Sequence, residues 1–390
     1  MEKIAIFIST LSYNSSYHVG THSLAKVFAA NGWKVAFISD PISPLHFISG
    51  QGSELTKRYE LWKRGGQYYF DGKIWAYVPF SMITTNNYPI LRSDYVYKNW
   101  AKFAFPGIVS LLKKNGFGKV DLIYADNSRF SFLLENIPYS RSVFRVTDNY
   151  KSNKNFSQTA FRFDKMFAGR CDFTLYTAKS LREFVDELEP LKPEYFPNGA
   201  DIKMFSPKSS PEPHDLMNIP HPRVIYAGET KLRFDAELVR KTAESLPLFS
   251  FVIIGENDHL KNFFSHNPNV YLLGFKDYNL LHRYFSNCDT GIIPFDISKN
   301  PELIKYVNPL KLYQYLSAGL QVVTTSWKEI ELLNPPVFIA KTEDEFVKYV
   351  SESSDLLFSP EIISEFLKGN DWQQRYNQLF EMLFPAKKLF

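Results

Sequence analysis

Short apolar runs punctuated by polar loops set the rhythm of this chain. In its first half KIAIFIS, WKVAFIS, DLIYA, SVFRVTD and FTLYT are too brief for helices and read as buried strands. Between and after them lie stretches with apolar residues at helical spacing, including one from about Ser23 to Ala30 and the capped run SLREFVDELE. The opening order is strand, polar loop (TLSYNSSYHVGTH), helix, Asn31-Gly32 turn and strand, the start of a doubly wound sheet. RVIYAG, SFVIIG, VYLLG, TGIIPF and QVVTT repeat the alternation in the second half. Between the halves YFPNGADIKMFSPKSSPEPHDLMNIPHPR, rich in Pro, Ser, Asn and Asp, reads as an inter-domain linker. The expectation is an α/β protein of two doubly wound Rossmann-like domains, residues 1–197 and 198–370. A terminal helix over 371–390 (NDWQQRYNQLFEMLF) is expected to pack back on the first domain. Two such domains facing a cleft would take a ligand at the carboxyl ends of their strands.

Composition narrows the class. With 390 residues, 45% hydrophobic and 22% charged, the chain has enough material for two globular cores. No apolar run approaches the roughly 20 residues of a membrane span, and MEKIAIFIST turns polar too early for a signal peptide. Two cysteines, Cys171 and Cys288, fit a reducing cytoplasm better than a disulfide framework. The formal charge of +4 is compatible with phosphates or an anionic membrane surface and gives no ground for a nucleic-acid partner. Aromatic content is high at 16%, with 35 Phe and 23 Tyr, which supplies a core and leaves some rings for sugars or lipid headgroups.

The chemistry concentrates in YVNPLKLYQYLSAGLQVVTT. Asn308 suits a helix N-cap, Pro309 the first helical position and Gly319 a stop. A lysine in the first turn opposes the helix dipole, so Lys311 makes sense where an anion binds. One turn on, Gln314 offers both a donor and an acceptor, suited to a ribose diol. In VYLLGFKDYNLLHRYFSNCDTGIIPF, Gly274 ends a strand, a loop follows, and Asp289 precedes a strand that closes on Pro294-Phe295. No GxGxxG follows either domain's first strand, which argues against a dinucleotide oxidoreductase. No Asp-x-Asp motif is well placed, and His18 and His22 have no partner at metal-ligand spacing, so neither metal nor cofactor is expected.

This order of strand, glycine, loop, helix, aspartate, strand and proline, followed by NPLKLYQYLSAGLQVV, resembles the nucleotide-sugar half of GT-B glycosyltransferases. YFPNGADIKMF resembles the linker signature of that fold. YAGETKLRFDAEL and FRVTDNYKSN resemble a narrower group, the GumK-like inverting glucuronosyltransferases of bacterial exopolysaccharide synthesis. The resemblance implies an acceptor-binding N-terminal domain and a nucleotide-sugar-binding C-terminal one. It implies that Asn308, Pro309, Leu310 and Lys311 meet the donor diphosphate and Gln314 the ribose. It places Gly228 and Thr230 near the phosphates, Phe275 and Lys276 against the base, and Phe295 on the sugar-nucleotide side. It makes Asp148 the general base and puts His22 on the acceptor side. Many retaining GT-B enzymes carry glutamate where Gln314 stands, whereas GumK-like proteins carry glutamate where Phe275 stands.

The sequence therefore leads to an inverting, metal-independent glycosyltransferase. The expected donor is a nucleotide diphosphate sugar, UDP-linked by preference. The expected acceptor is a glycan or polyprenyl-diphosphate-linked glycan of bacterial surface polysaccharide synthesis. Inversion needs a base to take the acceptor's proton, and Asp148, at the end of the apolar run SVFRV, is placed for it. The rivals are a retaining GT-B transferase, a sugar-nucleotide epimerase of the same fold and a non-catalytic glycan-binding protein. YVYKNWAKFAFPGIVSLLKKNGFGK mixes Trp100, Phe103 and Phe105 with Lys98, Lys102, Lys113 and Lys114. It is compatible with a cytoplasmic protein touching the inner membrane peripherally, and equally with a helix packed on the first sheet.

Overall fold

The structure, a computed structural model, describes residues 2–48, 52–86, 88–151, 156–206, 210–353 and 357–385. The chain divides into two compact units, one formed by Met1–Pro197 with Arg375–Phe390 and the other by Asn198–Gln374.

The first unit is built on eight strands: β1 (Ile4–Ser9), β2 (Lys34–Ser39), β3 (Gln67–Tyr69), β4 (Ile74–Tyr77), β5 (Val120–Ala125), β6 (Tyr139–Val146), β7 (Phe173–Tyr176) and β8 (Pro193–Tyr195). They lie in the order β3-β4-β2-β1-β5-β6-β7-β8, parallel except for the antiparallel edge pair β3–β4. Ala5 to Ile8 of β1 and Val35 to Ile38 of β2 are fully buried. Strands covered on both faces have no polar side, which is why these segments read as unbroken apolar runs. Helix α1 (Gly20–Ala30) starts earlier than Ser23 and lays Leu24, Ala25 and Phe28 into the core. Helix α2 (Gln158–Ala168) is capped by Ser157, whose Oγ accepts from the Ala160 N–H at 3.2 Å.

The second unit has six parallel strands: β9 (Arg223–Ala227), β10 (Ser250–Ile254), β11 (Val270–Gly274), β12 (Thr290–Ile293), β13 (Gln321–Thr325) and β14 (Phe338–Ala340). Their order β11-β10-β9-β12-β13-β14 reverses between β9 and β12, as the first sheet reverses between β1 and β5. Both are doubly wound Rossmann-like sheets, and each reversal is a topological switch point where such folds bind ligands. Alternate residues of these strands feed two cores, Ile225, Val252 and Ile293 on one face and Val224, Phe251 and Ile292 on the other. Helix α3 (Leu310–Ser317) packs on the first of these faces through Leu312, Tyr315 and Leu316.

The Pro-rich stretch is not a bare linker. Phe205, Leu216 and Ile219 are buried in the core of the second unit, so most of it is folded structure; residues 207–209 lie outside the described residues. Helix α4 (Trp372–Leu383) supplies residues to the first unit. Trp33 Nε1 donates to Tyr376 Oη at 3.1 Å, Arg141 Nε donates to the Leu383 carbonyl at 2.9 Å, and Leu379 is buried. No described helix is long and apolar enough to cross a membrane.

Candidate functional site

At the carboxyl edge of the second sheet, three neighbouring strands each run into a glycine: Gly228 after β9, Gly255 after β10 and Gly274 at the end of β11. The Gly228 N–H donates to the Ile254 carbonyl at 2.9 Å, and the Gly255 N–H to the Gly274 carbonyl at 3.0 Å. A Cβ on Gly255 would lie 2.1 Å from the Gly228 carbonyl oxygen, and its φ of +148° is one that side chains resist. A Cβ on Gly228 would lie 2.6 Å from the Lys311 ammonium. Only a residue with no side chain lets that ammonium rest over the end of β9.

Helix α3 brings Lys311 there. Its N-cap is Pro309, and no side chain caps the helix among the described residues. This corrects the expectation that Asn308 would cap it. Asn308 is instead buried, with Oδ1 accepting from Tyr313 Oη at 2.9 Å and its carbonyl accepting from Asn198 Nδ2 at 2.7 Å. A side chain held by Tyr313 cannot also reach the first-turn amides, so Pro309 and the first helical residue Leu310 open the helix.

The Lys311 ammonium sits 3.8 Å from the centroid of the Tyr226 ring and 5.5 Å from that of Phe295. No carboxylate pairs with it among the described residues. Burial pushes its pKa down to about 7, with Arg233 adding to the effect and Glu229 opposing it. The rings beneath it are fixed. Tyr226 Oη donates to the Glu229 carbonyl at 2.5 Å, while Phe295 packs on Trp327 and donates its N–H to Thr325 Oγ1 at 3.1 Å. Gln314, one turn along, is buried with Nε2 3.5 Å from Tyr278 Oη. Tyr315 Oη accepts the Ala227 N–H at 2.8 Å and ties the helix to the end of β9.

The remaining donor-side candidates divide. Thr230 is buried and donates to the Glu256 carbonyl at 2.7 Å, so it shapes the loop more than it faces outward. Phe275 is exposed, as a residue that stacks on a planar ligand must be. Lys276 is engaged elsewhere, 2.7 Å from Asp215. Two contributors escaped the sequence reading: Tyr226, the platform of Lys311, and Glu229, whose carboxylate is wrapped by its own loop. Glu229 accepts the N–H groups of Lys231, Leu232 and Arg233. The stretch GETKLR carried a signal, a strand-ending glycine followed by an acid and a tight polar turn.

In the first unit Asp148 lies two residues beyond β6, partly exposed, with Oδ2 accepting from Thr147 Oγ1 at 3.1 Å. Tyr150, in the same loop, donates to Asp164 of α2, and burial raises the proton affinity of that carboxylate. The switch point between β1 and β5 holds a polar cluster the sequence reading missed. Asn127 Nδ2 reaches Asp40 Oδ1 at 3.3 Å and Asp126 Oδ1 at 3.2 Å, and Arg129 pairs with Asp40. Burial, with the Asp40 charge adding to it, pushes Asp126 up to about 6 against Ser9, Arg145 and Asn127.

His22, expected on the acceptor side, is buried. Nδ1 accepts from the Val19 N–H at 3.4 Å and Nε2 donates to the Ser12 carbonyl at 2.9 Å. Burial pushes its pKa down to about 4. Trp100 is likewise a core residue, donating to the Arg129 carbonyl at 2.9 Å, whereas Phe105, Met82, Ile90 and Tyr95 are exposed.

Comparison with known proteins bears on the fold. Residues 7–172 match the family described as glucuronosyltransferase GumK, N-terminal domain. Over 201 residues the chain is 24% identical to TuaH of Bacillus subtilis (strain 168), a candidate teichuronic acid biosynthesis glycosyltransferase. That match takes in 47% of this chain and 49% of TuaH, so the chain aligns with about half the length of this curated relative. Among solved structures, sucrose-phosphate synthase from Thermosynechococcus elongatus aligns with a TM-score of 0.69 at 13% identity, covering 99% of this chain and all (100%) of that one. Alr3699/HepE of Anabaena, solved in complex with UDP and glucose, aligns with a TM-score of 0.65 at 14% identity, covering 98% of this chain and 100% of that one. At such identities the likeness is one of fold, and the fold is GT-B.

Proposed function

We propose, from a chain that is GumK-like in its N-terminal half and GT-B in fold, that this protein is an inverting, metal-independent glycosyltransferase. It moves a sugar from a nucleotide diphosphate donor to a glycan or lipid-linked acceptor in bacterial surface polysaccharide synthesis. UDP is the nucleotide favoured by likeness to HepE, which was solved with UDP and glucose. The acceptor class is favoured by the likeness to TuaH and to the GumK N-terminal domain.

One observation carries the donor half of this reading: an ammonium at the switch point, beside a glycine, with two aromatic faces and, among the described residues, no carboxylate for a partner. A diphosphate supplies the missing charge. In the reaction the acceptor hydroxyl attacks the anomeric carbon while the bond from that carbon to the diphosphate oxygen breaks. Asp148 takes the hydroxyl proton as the new glycosidic bond forms. Lys311 and the amides at the start of α3 stabilise the negative charge left on the diphosphate, so no general acid is required. Gln314 holds the ribose and Phe275 lies against the base.

Titration calorimetry with UDP, GDP and TDP tests the donor assignment, and absence of binding by all three would remove it. Asp148→Asn is expected to abolish transfer while UDP binding survives; near-normal turnover by that variant overturns the base assignment. Inversion is read from the anomeric configuration of the product by NMR. Exposed Met82, Ile90, Tyr95 and Phe105, with Lys98 and Lys102 near them in sequence, support peripheral contact with the cytoplasmic face of an anionic membrane. Co-sedimentation with anionic vesicles at low salt tests that contact, and its absence there rejects it.

A further inference from the structure

The loop after β9 runs Gly228-Glu229-Thr230-Lys231-Leu232-Arg233. It folds so that three consecutive backbone N–H groups converge on one carboxylate. Glu229 Oε1 accepts from Lys231 and, at 2.8 Å, from Leu232, while Oε2 accepts from Arg233 at 3.3 Å. Successive amides pointing into one concavity form the backbone nest by which loops hold phosphate and other anions. Here the anion is a side chain of the same loop, and an exposed one, so water can take it back at little cost.

The surroundings are what a phosphoryl site needs. Gly228, immediately before Glu229, is the residue against which the Lys311 ammonium rests. Glu229 is close enough to Lys311 to favour its charge, and Arg233 close enough to disfavour it. A nest, a lysine with no carboxylate partner among the described residues and an arginine therefore share the carboxyl end of β9, at the switch point of the sheet. The only negative charge the loop places in the nest is that of Glu229.

We infer that the amides of residues 231–233 are the seat of a phosphoryl group of the donor, and that the Glu229 carboxylate occupies that seat until the diphosphate displaces it. This rests on the reading that the second unit binds a nucleotide diphosphate. A carboxylate has one charge and two oxygens; a phosphoryl group has more of both and can satisfy the three amides. Glu229 is then an internal competitor. It lowers affinity for anything that carries a diphosphate and leaves affinity for the bare nucleoside untouched.

The test is calorimetry on the full chain with UDP, inorganic pyrophosphate and uridine, for wild type, Glu229→Gln and Glu229→Ala. Both variants are expected to bind UDP and pyrophosphate about tenfold more tightly than wild type. Uridine affinity is expected to stay constant. If Glu229 merely orders the loop, its removal weakens UDP binding; unchanged or weaker binding by Glu229→Gln, in a variant with wild-type melting behaviour, overturns the inference alone. Failure of wild type and variants alike to bind either UDP or pyrophosphate overturns the donor reading and this inference with it.

Discussion

Lys311 shows how a side chain that is poor for stability can be what the proposed donor site requires. Its ammonium rests on Tyr226 and Phe295 without a carboxylate among the described residues, and burial holds its pKa at about 7. The unfolded chain keeps that proton up to the ordinary value of 10.5. Between the two values the unfolded state binds more protons, so this group's contribution to stability improves as pH rises from about 7 towards 10.5. Below about 7 both states hold the proton and the full penalty stands. Diphosphate binding, as proposed, would reverse the preference. Above about 7 the complex must take up a proton that the free protein lacks, so UDP affinity is expected to fall with rising pH, by up to about tenfold per unit. Calorimetry at pH 8 in buffers of different ionisation enthalpy measures the uptake; a value near zero would falsify the role given to Lys311. Lys311→Met is expected to weaken UDP binding roughly 10- to 100-fold, the worth of a charge-assisted hydrogen bond or two. It should raise the melting temperature of the unliganded protein, as scanning calorimetry would show. At this scale the sequence was partly legible. A lysine in the first turn of a helix is visible as an anomaly, whereas the engagement of Asn308 with Tyr313, or of Glu229 with its own amides, depends on a backbone turn that no pattern displays.

Among the elements, the glycines that end β9, β10 and β11 matter most. They allow the strand ends to touch backbone to backbone and leave β9 bare for Lys311. Gly255→Ala is expected to cost about 3 kcal/mol, since a methyl has no room against the Gly228 carbonyl. Urea unfolding should show a lower midpoint with an unchanged slope. Gly274 has open space where its Cβ would lie, so any cost of Gly274→Ala comes from its backbone angle alone and should be smaller. Long apolar strands such as β1 and β9 could be read directly, because burial on both faces removes polar residues from them. The three-residue strands β3, β8 and β14 could not, being too short to show a period and held by their neighbours in the sheet. The Pro-rich stretch misled for the opposite reason. Its composition is that of a loop, yet Phe205, Leu216 and Ile219 anchor it in a core.

On the scale of the molecule, two doubly wound sheets could be inferred from alternation alone, and their reversal points locate where ligands belong. The strand order within each sheet had to come from the structure, since any strand of a parallel set can in principle neighbour any other. The first unit is built from two separate pieces of chain, Met1–Pro197 and the segment from Arg375 onward, whereas the second is one continuous piece. Residues 198–374 expressed alone are expected to fold cooperatively and bind UDP with near-native affinity. Residues 1–197 alone lack Tyr376, Phe380 and Phe384 against Trp33. They are expected to aggregate or to unfold at markedly lower temperature than the first unit of the full chain, as circular dichroism would report. Leu379→Ala should reproduce part of this loss, about 2–5 kcal/mol, because the side chain is fully buried.

That interrupted construction sets an order of events during synthesis. A ribosome releases the whole of the second sheet before it releases the helix that completes the first, so the half proposed to bind nucleotide can mature while the earlier-made half still waits for that helix. If the donor reading holds, the newborn protein passes through a stage in which it could hold a donor before its other half is finished, and chaperone demand should concentrate on the segment made first.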